Sequence, residues 1–293
     1  MRINMLFMLR AALLIWTFTS LLIVLRDVRK HKDEINLKRK GAALAFTGFI
    51  TNFFDTWGIG SFATTQFCFK VAKSSEDETM PGTLNVGDTF PVAVEALLFF
   101  GFVEIDPLTL VLMIAAAVVG AYVGASIVCR WNVKIVRIAL GCALLALATV
   151  MVCKMQGWGP FGGVGEALSL SGIKLIVGMI GNFFLGALMM IGFGLYIPCT
   201  ALISILGMSI GAAFPIMMGS CAFLMNASVP KFVKEGKYDR NATLHLAFFG
   251  SLGALAAYLL MKYCFDLTTL TYIICVVMLY TSITFFKDAK NDK

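Results

Sequence analysis

Charge is scarce in this chain: only 14% of its 293 residues are Asp, Glu, Lys or Arg, against roughly a quarter in an ordinary soluble domain. That is too little polar surface to solvate a globule of this length, which excludes a water-soluble enzyme or binding domain. Histidine occurs twice, at His31 in a basic stretch and His245 near the start of an apolar one. The eight cysteines (Cys68, Cys129, Cys142, Cys153, Cys199, Cys221, Cys264, Cys275) lie singly in or beside apolar segments, with no C-x-x-C pair. They read as small hydrophobes packed in helices, and no metal site is expected. No G-x-x-x-x-G-K-[ST] stretch is present to cradle a nucleotide, which argues against an ATP-driven pump.

What the chain has instead is apolar length. Hydrophobic residues make up 59% of it and the mean hydropathy is +0.86. Apolar segments run over 5–25, 41–69, 84–103, 107–128, 135–153, 173–207, 209–229, 243–262 and 268–286, many near the 20 residues or so that an α-helix needs to cross a bilayer. The first carries Arg10 and Trp16 and lacks a small-residue cleavage site, so it reads as a retained helix and not a signal peptide. Trp131 and Trp158 fall at segment ends, where interfacial anchors sit.

Two segments, 41–69 and 173–207, are too long for one ordinary span, and each contains a Gly-x-Gly: Gly58-Ile59-Gly60 and Gly192-Phe193-Gly194. They also resemble each other. Gly48-Phe49-Ile50-Thr51-Asn52-Phe53-Phe54 and Gly178-Met179-Ile180-Gly181-Asn182-Phe183-Phe184 share G-x-I-x-N-F-F, 130 residues apart. Three further apolar segments follow each copy, so the chain divides into an N-terminal helix with a basic loop (1–40), a first repeat (41–153), a Gly-rich linker (154–172) and a second repeat (173–293).

Basic residues set the expected orientation. Arg26 to Lys40 holds seven Lys and Arg, Arg130 to Arg137 three, Lys231 to Arg240 four and the tail from Lys287 three. The net charge of +7 therefore reports cytoplasmic loops of an inner-membrane protein with a cytoplasmic C-terminus, not a nucleic-acid partner. All four segments share one side only if 41–69 and 173–207 each enter and leave on the same side. The expected fold class is an all-α integral membrane protein: about seven transmembrane helices plus two re-entrant broken-helix hairpins, in two inverted repeats after an extra N-terminal helix.

Inverted repeats with broken helices point to a secondary transporter whose site lies near the midplane, between the breaks. Each returning half-helix would aim its N-terminal N–H groups and partial positive charge into the membrane, which favours an anion. Ser61, Thr64 and Thr65 on the first return and Thr200 on the second, behind Pro198, are candidate hydroxyl donors; Pro198 suits a first turn, where its missing N–H costs nothing. Asn52 and Asn182 would bond either the substrate or the interrupted backbone. Carboxylates inside a membrane are costly and usually functional, and there are three: Asp55, Asp88 and Glu95. Asp55 and Glu95 are the expected proton or cation carriers, whereas Asp88 is expected to cap the helix starting near Pro91. Gly120, Gly124, Ala125 and Ser126 form a small-residue stripe that marks a packing seam or a homodimer face.

The segments GFITNFFDTWGIGSFATT, PGTLNVGDTFPVAVEA and GNFFLGALMMIGFGLYIP resemble the TauE/SafE family of membrane permeases, described as sulfite and organosulfonate exporters. The resemblance covers nearly the whole chain after residue 40. It places Asn52, Asp55, Gly58, Gly60, Asn85, Pro91, Asn182, Gly192, Gly194 and Pro198 on motif positions. Many members run three glycines together after the first, where this chain has Gly58-Ile59-Gly60-Ser61. The resemblance implies export of a small anion such as sulfite or an organosulfonate, coupled to ion movement, with the lipid bilayer as the other partner and no cofactor. A membrane-embedded enzyme acting on lipid and a passive anion channel are the alternatives. Against the enzyme, there is no H-E-x-x-H and only one histidine inside an apolar segment.

Overall fold

The computed structural model describes residues 2–75, 79–101, 103–124, 132–156, 165–190, 192–264 and 267–291. Among them regular structure is helical, with no strand beyond one isolated bridge between Ala167 and Met208. Cys129, Trp131, Trp158, Ala125 and Ser126 lie outside the described residues, as do residues 157–164 of the Gly-rich linker.

Helix α1 (Arg2–Lys30) is followed by the first broken pair, α2 (Gly41–Thr56) and α3 (Ser61–Ala72). Helices α4 (Met80–Gly87) and α5 (Thr89–Phe99) form a nearly continuous rod, so the apolar segment expected from residue 84 begins one turn earlier. Then come α6 (Pro107–Val119), which runs into a π-helical turn at Gly120–Gly124, and α7 (Val133–Met155). The second broken pair is α8 (Gly172–Met189) and α9 (Tyr196–Ile205). The long α10 (Ile210–Glu235) precedes α11 (Arg240–His245), a second π-helical turn (Leu246–Gly250), α12 (Ser251–Cys264) and α13 (Leu267–Asn291).

Among the described residues, four helical stretches are long and apolar enough to cross a membrane: Met5–Lys30, Gly172–Met189, Ile210–Glu235 and Arg240–Met261. Large hydrophobic side chains also cover the outside, among them Phe7, Ile15, Phe46, Phe67, Ile173 and Val276, each at least 65% exposed. Water solvates such a surface poorly and lipid solvates it well. These features are those of a membrane-associated protein.

Each broken pair opens and closes at one end. In the first, the Lys40 ammonium donates to the carbonyls of Ala72 and Lys73, so the start of α2 and the end of α3 are neighbours. In the second, the Ala167 N–H donates to the Gly207 carbonyl at 3.3 Å and the Ser209 N–H to the Ala167 carbonyl at 3.0 Å. The first opening is tied to the segment after α10, where Arg240 reaches Asp27 at 2.8 Å and the Asn241 amide donates to the Asn36 carbonyl at 2.8 Å. Burial, together with a hydrogen bond to Asp27, pushes the Tyr238 hydroxyl up from its ordinary pKa there. The second opening is tied to the start of α6, where the Asp106 N–H donates to the Leu168 carbonyl at 2.9 Å. Helix α10 starts beside the second opening and ends beside the first. Its 26 residues span about 39 Å, so the openings lie at opposite ends of the molecule.

Packing exchanges the halves. Helix α2 packs on α12 and α8 on α6, while α5 lies against α10 and α7 against α13. Glycines permit the closest approaches: a Cβ on Gly253 would stand 2.2 Å from the Phe49 carbonyl oxygen, and one on Gly186 2.1 Å from that of Ala117. Gly120 belongs to the same seam, because a Cβ there would stand 1.9 Å from the Phe183 oxygen. At Gly120, then, the small-residue stripe packs within the chain.

Candidate functional site

Both breaks close in the same way. Gly58 (φ +86°) and Gly192 (φ +95°) take left-handed backbone, and the next residue donates back five positions, Ile59 N–H to the Phe54 carbonyl and Phe193 N–H to the Leu188 carbonyl, both at 3.2 Å. This is the Schellman ending of a helix, for which a residue without Cβ is favoured at the turning position. Gly60 (φ +88°) then redirects the chain into α3. The two breaks adjoin: the Gln66 amide on α3 donates to the Gly192 carbonyl at 3.2 Å, and Phe62 is the nearest side chain to Gly194.

The three carboxyls gather on the inner side of the first break, all nearly or fully buried. Asp55 spans the break. Its Oδ1 accepts from the Ser61 N–H at 2.6 Å and its Oδ2 from the Ser61 hydroxyl at 2.9 Å. The positive end of the first returning helix is therefore occupied by a carboxylate of the chain itself. Glu95 accepts from the Thr56 hydroxyl at 2.8 Å and from the Tyr196 hydroxyl at 2.6 Å, which joins α5 to the first residue of the second return. Asp88 accepts from the Asn52 amide at 3.2 Å.

The expected capping role of Asp88 is corrected by the structure. Its side chain makes no cap bond to the helix that follows, and its backbone is helical because α4 continues into α5. With nothing there to cap, its carboxyl faces Asn52, and its Oδ2 has no protein partner. Asp55, expected to carry a proton or cation, is the carboxyl that caps a helix start.

The hydroxyls expected to meet a substrate are all committed within the protein. Ser61 donates to Asp55, Thr64 to the Gly60 and Ser61 carbonyls, Thr65 to Thr51 at 2.8 Å, and Thr200 to the Tyr196 carbonyl and the Met217 sulfur. Pro198 sits in the first turn of α9, whose start carries no side-chain cap. Asn182 lies away from its break: its amide donates to the Met113 carbonyl at 2.8 Å and the Ser220 hydroxyl at 2.9 Å, tying α8 to α6 and α10. Asn85 donates back to the Pro81 carbonyl. Asn52 and Asn182 are thus not equivalent in role, and only Asn52 joins the carboxyl cluster. The side-chain carbonyls of Asn52, Asn85 and Asn182 are buried without partners.

Among the described residues, no Lys, Arg or His pairs with Asp55, Asp88 or Glu95, and no group of three or more His, Cys, Asp or Glu could hold a metal ion. Three buried carboxyls without a cation cannot all be ionised, because desolvation and mutual repulsion add.

Tyr196 was not marked by the sequence reading, although a lone tyrosine opening the second returning helix was a usable signal. The stretch Gly207-Met208-Ser209-Ile210-Gly211 also matches G-x-S-x-G, the spacing of a hydrolase nucleophile, and so bears on the enzyme alternative. Ser209 instead caps α10, its hydroxyl accepting from the Ala212 N–H at 3.3 Å. No strand precedes it, and His245 sits beyond the other end of α10, beside Gly48. Ser209 and His245 therefore do not form a nucleophile–base pair. Compared with known proteins, the chain matches no family model, no curated protein and no solved structure.

Proposed function

We propose that this protein is a secondary membrane transporter that moves a small oxyanion, of the sulfite or organosulfonate class, together with protons. The observation that carries the reading is the pair of broken helices opening at opposite ends, with their breaks adjoining at Gln66 and Gly192 beside three buried carboxyls. The exchanged packing of the halves supports the inverted-repeat architecture with seven crossings, and the resemblance to TauE/SafE permeases supports the substrate class.

Asp55 gives the reading a mechanism. While ionised, it holds the Ser61 N–H and hydroxyl that a substrate oxyanion would need, so the two anions compete for one set of donors. A proton on Asp55 weakens its hold and opens the donors to the substrate; when the substrate leaves, Asp55 loses the proton and recaps the helix. Glu95, bonded to Tyr196, connects that event to the second hairpin. Asp88 joins Asp55 and Glu95 as a proton site, since the capping argument that set it apart does not hold. Proton and anion then move together, and the gradients set the direction.

The test uses a permanently ionised sulfonate, which carries no proton of its own. Liposomes containing the protein and an internal pH dye should acidify when the sulfonate is added outside, and liposomes with Asp55→Asn should not. Sulfonate uptake without any proton movement in the wild type would contradict the coupling.

A further inference from the structure

We propose that the basic cavity at the open end of the first hairpin is the vestibule through which the transported oxyanion reaches the carboxyl site, with Leu44 and Phe69 closing its floor. The proposal rests on the transport reading above and adds to it the place of access.

The cavity measures about 780 Å³ and lies between the start of α2, the end of α3 and the segment after α10. Among the described residues, its walls carry Arg39, Lys40, Lys70, Lys73 and Arg240 against two carboxylates, Glu34 and Asp239. Lys40 is engaged with the end of α3, and Arg240 with Asp27 and Glu34. Arg39, Lys70 and Lys73 form no ion pair among the described residues, which leaves them for a ligand. The hydroxyls of Ser74 and Ser75, also in the wall, are buried without partners. A concave site with surplus cations and unsatisfied hydroxyl donors suits an oxyanion.

A polar seam continues from the floor inward. Leu44 and Phe69, both buried, line the cavity. Behind them the two helices of the hairpin face each other in polar pairs: Thr47 with Cys68, Thr51 with Thr65 at 2.8 Å, and Asp55 with Ser61. Positions 47, 51 and 55 recur every four residues and so share one face of α2, as 61, 65 and 68 share one face of α3. Here they make a path, shut in this state, from the basic mouth to the carboxyl that competes with the substrate.

The experiment reads access chemically and needs no flux. In a cysteine-free background, Ser75→Cys and Thr51→Cys are modified with an anionic sulfonatoethyl and a cationic trimethylammonioethyl thiosulfonate. Ser75→Cys should react roughly tenfold faster with the anionic reagent. Lys70→Gln with Lys73→Gln should remove the preference, and sulfate should slow the reaction. Leu44→Ala should speed modification of Thr51→Cys and leave Ser75→Cys unchanged. Equal rates, or a faster cationic reagent under the influence of the neighbouring Glu76, Asp77 and Glu78, would overturn the proposal. So would protection by anionic lipid and not by sulfate, which would make the cavity a headgroup site. A second measurement avoids the cysteine background: sulfate at constant ionic strength should raise the Tm of the native chain and not that of the Lys70→Gln, Lys73→Gln variant. No change in the native chain would count against an anion site. Anionic selectivity in a protein that shows no flux would contradict the transport reading and leave the cavity's preference standing.

Discussion

Asp55 accepts two hydrogen bonds from Ser61, one from the backbone and one from the hydroxyl, across the six residues in which the first hairpin turns. This places an acidic side chain where the helix N-terminus offers its donors. Asp55→Ala should lower stability by about 0.5–2 kcal/mol, the range for losing a cap. Asp55→Asn retains an acceptor and should fold with a Tm close to wild type, but it has no proton to exchange. In liposomes it should keep anion exchange at equal pH and lose accumulation driven by a pH gradient. Full accumulation by Asp55→Asn would move the coupling proton to Glu95 or Asp88.

Glu95 and Tyr196 bond at 2.6 Å over 101 residues of sequence. Tyr196→Phe removes the donor and leaves a buried carboxyl oxygen short of a partner, at a cost of about 1–3 kcal/mol. The Tyr196→Phe, Glu95→Gln double variant should then be less impaired than the sum of the two singles, with a coupling energy of about 0.5–3 kcal/mol. Additive losses in Tm would mean that the bond contributes nothing.

These relationships also show where sequence reading stops. The breaks were legible because G-x-G inside a long apolar run has few other uses, and both glycine turns occur where the sequence put them. That Asp55 and not Asp88 caps a helix start was not. A capping residue is recognised by the helix it precedes, and α4 runs into α5 through Asp88 in helical backbone, so no separate helix begins near Pro91 to be capped. Asn52 and Asn182 looked equivalent because their local sequences match. Their partners, Asp88 and Ser220, come from helices where the halves differ, and no local motif carries that difference. Tyr196 finds Glu95 only through tertiary packing.

Gly253 and Gly186 hold the exchanged packing of the halves. Alanine at either would bring Cβ within 2.2 Å of a backbone oxygen, so the helices must separate, and overpacking of this kind costs about 1–3 kcal/mol or more. Each variant should lower the Tm by several degrees. Unchanged melting at both positions would contradict the close helix contacts.

The orientation of the hairpins is open to labelling. Lys73, Lys234 and Ser169 are all exposed. Cysteines at 73 and 234 should react with an impermeant thiol reagent from one side of the membrane only, and a cysteine at 169 from the other. Labelling of 73 and 169 from the same side would rule out two hairpins opening at opposite faces.

The central claim is that the adjoining breaks and their carboxyls move an anion, and uptake by purified protein in liposomes tests it most directly. Sulfite, sulfate, organosulfonates and small carboxylates are offered with and without a pH gradient. The account predicts saturable uptake of at least one of these oxyanions, accelerated by the gradient and competed by the others. No saturable uptake of any of them above protein-free liposomes, by protein that is folded and correctly inserted, would contradict it.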